Sequence, residues 1–123
     1  MKINSLKSIG IRSEFLFFDH IADITDKDEY LVVKTPGNPK YISGNFLLFP
    51  TPPKEGDLNR WQDLFKKEFK GDANIRHMKL VWDGIDGNIG VSEPFFREGF
   101  ELESYQALLA SSINEVKTLN KYP

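Results

Sequence analysis

The alternation of apolar and polar positions predicts short strands in the first third of the chain. Two apolar runs, Ile21–Thr25 and Tyr30–Thr35, flank the polar tetrad Asp26–Glu29, which is typical of a β-hairpin. A third run, Tyr41–Phe49, follows a proline- and glycine-rich breaker and predicts another strand. A further apolar run, Ile9–Phe18, precedes these three in the chain. It fits a strand or a short helix, and its periodicity does not decide between them.

A helix is predicted directly after the proline-rich connector Pro50–Gly56. Its apolar residues recur at helical spacing on one stripe, with Leu64 at the edge: Leu58, Trp61, Phe65 and Phe69. Asp57 is expected to cap the start of this helix and Gly71 to end it. Three lysines near its end, Lys66, Lys67 and Lys70, match the helix dipole and indicate a solvated face rather than a binding patch.

The second half of the chain predicts a strand, a short helix and a strand. Ile75–Trp82 is the first strand, and a helix capped by Ser92 is expected to close at Gly99. Leu102–Ala110 is the last predicted strand. The order β-β-β-α-β-α-β predicts an α+β fold, a sheet with two packed helices.

Length and composition predict one domain. The chain has 123 residues, 40% of them hydrophobic, which is enough for a core without disulfides or metals. We expect the domain to span residues 1–110 and residues 111–123 to form a polar C-terminal tail or linker. Because the chain has no cysteine, disulfides, thiolate nucleophiles and cysteine zinc sites are excluded.

Charge and hydropathy narrow the expected partners. The formal net charge is −2, and acidic and basic residues are interspersed, which argues against a nucleic-acid partner. The sequence has no apolar run long enough for a membrane span, and we expect no secretory signal because residues 1–8 lack a continuous apolar core. We therefore expect a cytoplasmic protein with no membrane partner.

The segment around the second predicted helix resembles the GCN5-related N-acetyltransferase (GNAT) superfamily. Phe95, three further residues and then Gly99-Phe100 match the spacing with which members open a strand, and Asn88 lies seven residues before the aromatic, as it often does there. The resemblance implies a mixed, mainly antiparallel sheet and a relation to enzymes that use acetyl-coenzyme A.

A longer likeness covers about Asp28 to Ala110. It resembles the N-terminal half of tandem, two-domain bacterial acetyltransferases, and its matching segments are Tyr30–Pro36, Gly44–Phe49, Pro53–Trp61 and Trp82-Asp83. In those proteins the second half carries the acetyl-coenzyme A site. The resemblance therefore implies a second GNAT domain, or a homodimer, as the partner.

Two positions depart from what acetyl transfer needs. Active members hold the coenzyme pyrophosphate on backbone amides at a glycine-rich helix start, but Pro50–Leu58 has one glycine, three prolines and two acids. Active members often have a tyrosine, which can act as general acid, where this chain has Phe95. We therefore predict no catalytic residue and no cofactor for this chain.

The end of the strand before the second helix is the candidate place for a ligand pocket. Trp82, Asp83 and Asn88 are the candidate pocket residues there, although Trp82 is more simply a core residue. Asp83, Asp86 and Asn88 lack the spacing of a calcium loop, so we predict no metal.

Two histidines complete the candidates. His77 alternates with apolar neighbours and is expected on the surface or on an edge strand, with a role as general base as the lesser alternative. His20 lies beside Asp19, but adjacent strand residues face opposite ways.

The sequence thus favours a degenerate GNAT-like domain, non-catalytic by itself, with a structural, regulatory or interaction role. Two alternatives stay open. One is an active N-acetyltransferase that uses acetyl-coenzyme A through an atypical phosphate contact. The other is a homodimeric module that binds a small ligand.

Overall fold

The described part of the chain contains a sheet covered by two helices, an α+β arrangement. A computed structural model describes residues 7, 11, 22–38, 44–71, 75, 77–84, 87–109 and 112–122. Within these ranges the elements are, in chain order, β1 (Asp23–Asp26), β2 (Leu31–Lys34), β3 (Phe46–Phe49), α1 (Asp57–Glu68), β4 (Met78–Trp82), α2 (Glu93–Arg97), β5 (Glu101–Leu109) and β6 (Ser112–Lys121).

The described strands form one sheet in the order β1-β2-β3-β4-β6-β5. Strands β3 and β4 are parallel, with Leu47 opposite Leu80 and Phe49 opposite Trp82, and the other pairs of described neighbours are antiparallel. Because a parallel pair needs a crossover, α1 connects β3 to β4. The carboxyl ends of β3 and β4 therefore lie side by side.

Both faces of the central strands are buried. One face carries the larger core, which α1 and α2 cover, with sheet residues Tyr30, Val32, Leu47, Phe49, Leu80, Trp82 and Leu119. The opposite face carries a smaller core of Leu31, Val33, Phe46, Leu48 and Val81, with Ile11 packed among them. This explains why β2 and β3 are almost continuously apolar instead of alternating.

Helix α1 is fixed to the sheet by an aromatic stack. The rings of Phe49 on β3 and Trp61 on α1 are parallel, with centroids 3.9 Å apart, and Phe95 on α2 lies 5.6 Å from Trp61. The stripe that predicted the helix packs against the sheet, with Trp61, Phe65 and Phe69 buried. The N-cap is Gly56 (φ 85°) rather than Asp57, which is the first helical residue.

Helix α2 ends in a Schellman motif. The amide of Gly99 donates to the carbonyl of Phe96 (3.1 Å), and the amide of Phe100 donates to the carbonyl of Phe95 (3.0 Å). Gly99 has φ 94°, a conformation that suits glycine, and the rings of Phe95 and Phe100 meet edge to face at 5.4 Å. The motif closes the helix and begins β5 directly afterwards.

The α+β class, both helices and the first hairpin are confirmed. Two predicted strands are shorter than expected, because β3 begins at Phe46, after Gly44 and Asn45, and β4 begins at Met78 instead of Ile75. The expected tail or linker at residues 111–123 is wrong for Ser112–Lys121, which forms β6 between β4 and β5. Its polar composition misled the prediction, because Thr118 and Asn120 are buried polar residues of a central strand.

Some predicted features lie outside the described residues. They are the run Ile9–Phe18 apart from Ile11, the pair Asp19 and His20, and the beginning of the Tyr41–Phe49 run. Ile11 itself is helical and 3% exposed. In the part of the chain that is described, no helix is long and apolar enough to cross a membrane.

We expect Gly99→Ala to lower the free energy of unfolding by about 1 kcal/mol, because an L-residue is strained at this positive φ. Space is not the cause, since an added Cβ would meet only the Lys121 side chain at 3.8 Å. Gly37→Ala is the control, since Gly37 has no positive φ and open space around its Cβ position. Urea unfolding of both variants measures the difference, and equal losses would contradict the Schellman assignment.

Candidate functional site

The candidate site lies where the carboxyl ends of β3 and β4 meet, and we call this region the mouth. The strands stay hydrogen-bonded to their ends, because the amide of Asp83 donates to the carbonyl of Phe49 at 2.9 Å. Two segments cover the mouth: the connector 50–56 that leads into α1, and the loop 87–92 that leads into α2.

Trp82 is a core residue that also ties down the loop. Its side chain is 5% exposed and belongs to the larger core, and its Nε1 donates to the backbone carbonyl of Asn88 at 3.2 Å. The Asn88 side chain accepts from the amide of Gly90 at 2.8 Å, a turn that asparagine favours. The structure therefore brings Trp82 and Asn88 together, but through contacts that hold the loop in place.

Asp83, the third candidate pocket residue, anchors a different part of the chain. Its side chain is 5% exposed, and its Oδ2 accepts from the backbone amide of Lys7 at 2.7 Å. The carboxylate thus joins the end of β4 to the N-terminal region. This contact gives the burial of Asp83 a structural explanation.

The loop and the connector are in close contact at Gly90. The amide of Val91 donates to the carbonyl of Pro53 at 2.8 Å. A Cβ at Gly90 would lie 2.3 Å from the same carbonyl oxygen and 2.9 Å from the Pro52 side chain. Only glycine fits this approach, so Gly90 is what lets the loop close over the connector.

The amide of the first residue of α1 and that of Lys54 in the connector already have acceptors. The amide of Asp57 donates to the carbonyl of Lys54 (3.0 Å), and the amide of Lys54 donates to Asp57 Oδ2 (2.8 Å). Asp57 also lies 3.7 Å from Arg60. A carboxylate therefore lies beside the start of the helix, where its negative charge opposes the binding of an anion.

Phe95 and Trp61 fill the space beneath the mouth. Phe95 is 0% exposed and Trp61 is 1% exposed. The prediction that Trp61 is a core residue is confirmed. Ser92 is the N-cap of α2 as predicted, although its hydroxyl donates to the Ile89 carbonyl instead of capping the helix.

His77 is buried, so the expected surface or edge position is wrong. It is 5% exposed, and its Nε2 donates to the carbonyl of Asn45 at 3.1 Å. Burial lowers the pKa of His77, and the nearby charge of Lys79 lowers it further, while the Asn45 carbonyl acts in the opposite direction. The neutral ring is therefore a structural donor in the core.

Asn45 connects the end of β2 to the start of β3. Its Oδ1 accepts from the amide of Thr35 (3.0 Å), and its Nδ2 donates to the carbonyl of Asn38 (3.1 Å). The Thr35 hydroxyl donates to the carbonyl of Gly44 (2.8 Å). This network, which His77 joins, holds Thr35 and Asn38 against Gly44 and Asn45, and no local sequence pattern indicates it.

Tyr30 and Glu68 form a second buried polar contact that the sequence did not indicate. The Tyr30 hydroxyl donates to Glu68, and Lys27 lies 3.7 Å from the same carboxylate. Burial and the Glu68 carboxylate raise the pKa of Tyr30 to about 12. This contact joins the first hairpin to the end of α1, and no local pattern announces it.

Two further predictions concern metal and basic patches. Among the described residues no three histidine, aspartate or glutamate side chains are grouped to hold a metal ion, and Asp86 lies outside those residues. Lys66, Lys67 and Lys70 are exposed at the end of α1, as their helix-end interpretation predicted.

Comparison of the chain with protein-family models, curated proteins and solved structures found no match. A functional assignment therefore depends on the geometry of the mouth and of the sheet.

We expect Gly90→Ala to lower the free energy of unfolding by about 3 kcal/mol, because the added Cβ overlaps the Pro53 backbone. Gly87→Ala is the control, since Gly87 also has a positive φ but an added Cβ would lie 4.0 Å from the nearest atom, Lys117 Cε. Its cost should be about 1 kcal/mol from backbone strain alone. Thermal unfolding measures both, and a Gly90 variant no worse than the Gly87 variant would refute the close packing.

We expect the wild-type chain to lose stability as the pH falls below about 6.5, the pKa of an unperturbed histidine. The folded chain disfavours protonated His77, so the unfolded chain takes up a proton first, and the stability present above that pH decreases below it. His77→Gln, which keeps a donor for Asn45, should lose less stability from pH 7 to pH 5. Parallel curves of unfolding free energy against pH would contradict this.

Proposed function

We propose that the chain is a degenerate acetyltransferase-like (GNAT-like) domain, non-catalytic by itself, with a structural, regulatory or interaction role. A mostly antiparallel sheet with one parallel central pair, covered by two helices on one face, supports the architecture that the resemblance implies. Strands at the expected positions and the helix closing at Gly99 add to this support.

The observation that carries the proposal is the closed mouth between β3 and β4. A domain of this kind that holds acetyl-coenzyme A parts its central strands to admit the pantetheine arm. Here Phe49 and Trp82 are register partners, and the Asp83 amide still bonds to Phe49 just beyond them. The strands therefore stay paired to their ends, and this pairing opposes the insertion of a pantetheine arm between them.

The connector supports the same conclusion. Its prolines remove amide donors, the amides of Lys54 and Asp57 have internal acceptors, and the Pro53 carbonyl is taken by Val91. Binding a pyrophosphate here would require breaking these contacts beside the Asp57 carboxylate. The cost of that rearrangement opposes coenzyme binding.

Phe95 stands where an active member would have a general acid. It is fully buried against Trp61 and Phe100, and it has no hydroxyl to protonate a thiolate. The alternative of an active enzyme would need another acid and an opened mouth. The alternative of a ligand module at Trp82 would need the indole to release Asn88. The non-catalytic role requires neither change.

We expect isothermal titration of the full chain with acetyl-coenzyme A to show no binding heat. Micromolar affinity would refute the non-catalytic proposal. Desulfo-coenzyme A serves as the control titrant, because it shares the pyrophosphate and lacks the thioester. Heat from both compounds would identify a working phosphate contact.

Phe95→Tyr tests the same proposal through its effect on the free energy of unfolding and on coenzyme binding. In the closed core the new hydroxyl has no water, so we expect a loss of about 1–3 kcal/mol and no gain in coenzyme binding. Phe96→Tyr on the same helix is the matched control, because Phe96 is 42% exposed and tolerates a hydroxyl. A Phe95→Tyr variant that is stable and binds coenzyme would instead favour the enzyme alternative.

A further inference from the structure

Strand β5 is the last strand of the described sheet on one side and has a long, largely uncharged edge. It spans nine residues and pairs along its whole length with β6. Glu101 and Glu103 lie in its first half, while Tyr105–Leu109 carries no charge. A long, uncharged edge strand is a template for pairing with another strand.

The opposite end of the described sheet differs. Strand β1 has only four residues, and two of them, Asp23 and Asp26, are acidic and exposed. Short length and charge are the usual protection of a sheet edge. Within the same sheet, therefore, one end has this protection and the outer half of β5 lacks it.

The outer half of β5 also lacks support from the rest of the sheet. Strand β4 pairs with β6 only over Thr118–Lys121, so Ser104–Leu109 and Ser112–Lys117 form a ribbon with no third strand among the described residues. A two-stranded ribbon is marginally stable in water, and a third strand stabilises it.

Two apolar side chains on β5 or on the helix before it are exposed. Leu102 on β5 is 36% exposed, and Phe96 on α2 is 42% exposed. Helix α2 packs against β5. The edge therefore combines strand positions that face no described strand with apolar surface on the helix side, as an interaction surface does.

The sequence of β5 fits an antiparallel copy of itself. When the strand is centred on Tyr105, all nine residues pair, with Leu102 opposite Leu108, Glu103 opposite Ala107 and Glu101 opposite Leu109. The glutamates of the two copies thus never face one another, and an apolar pair occurs twice. Two-fold symmetry produces such a self-complementary contact.

We infer that this chain forms a homodimer in which the β5 strands of two copies pair antiparallel about Tyr105, joining their sheets. The inference rests on the proposed interaction role and names its surface and partner. A second copy satisfies the whole length of the edge with no like charges opposed. The Glu103 side chain accepts from Asn120 on β6 and from Tyr122 just after it, each at 2.6 Å, which fixes the place of this charge along β5.

The dimer is tested by sedimentation velocity and sedimentation equilibrium of the full chain over a range of concentrations. Two variants of opposite charge at residue 107 test the register of the pairing. Ala107→Lys places a cation opposite Glu103 of the second copy and should tighten the dimer about tenfold. Ala107→Glu places like charges together and should weaken it about tenfold. Within one chain residue 107 is the register partner of the neutral Asn114 in both variants, so they are matched.

Thermal unfolding at concentrations where both variants are monomeric checks that they fold alike. A wild-type chain that stays monomeric at high micromolar concentration overturns the inference, as does a dimer whose affinity ignores the charge at residue 107. If the chain proves monomeric, the acetyl-coenzyme A titration still tests the non-catalytic role. If the coenzyme binds, the sedimentation measurements still test the dimer. The two proposals can therefore fail separately.

Discussion

The parallel pairing of β3 with β4 is the constraint on which the rest of the structure depends. It requires a crossover, which α1 supplies, and it brings two strand ends and their following loops to one place. The Phe49–Trp61 stack then holds α1 over this pair, and Phe95 adds α2 to the same cluster. Every residue considered for chemistry at the mouth is positioned by this arrangement.

The spacing of Phe95, Gly99 and Phe100 is explained by helix termination. Phe95 is the third residue from the helix end, Gly99 takes the left-handed conformation, and Phe100 packs back on Phe95. A Schellman motif needs these residue types at these separations whatever the protein does. The segment therefore specifies how a helix becomes a strand, and the chemistry must be judged elsewhere, at the connector and the mouth.

Sequence patterns predicted those elements whose burial repeats along the chain. Local periodicity indicates which face of such an element is buried. Examples are the helix stripe of Trp61, Phe65 and Phe69 and the short apolar run of β3. Strand β6 and the burial of His77 could not be found this way. Both depend on partners distant in the chain: β4 and β5 bury Thr118 and Asn120, and Asn45 supplies the acceptor for His77. The contact of Gly90 with Pro53 is equally non-local.

The strand order of the described sheet explains two features together: the paired ends of β3 and β4, and the unpaired outer side of β5. Where strands stay paired to their ends, as β3 and β4 do, backbone groups satisfy each other and little remains for a coenzyme. Where pairing among the described strands stops, as beyond Thr118 on β6 and along the outer side of β5, a further strand can add to the sheet. Both observations support the interaction role that we propose, in which the domain pairs with another strand instead of holding a small cofactor.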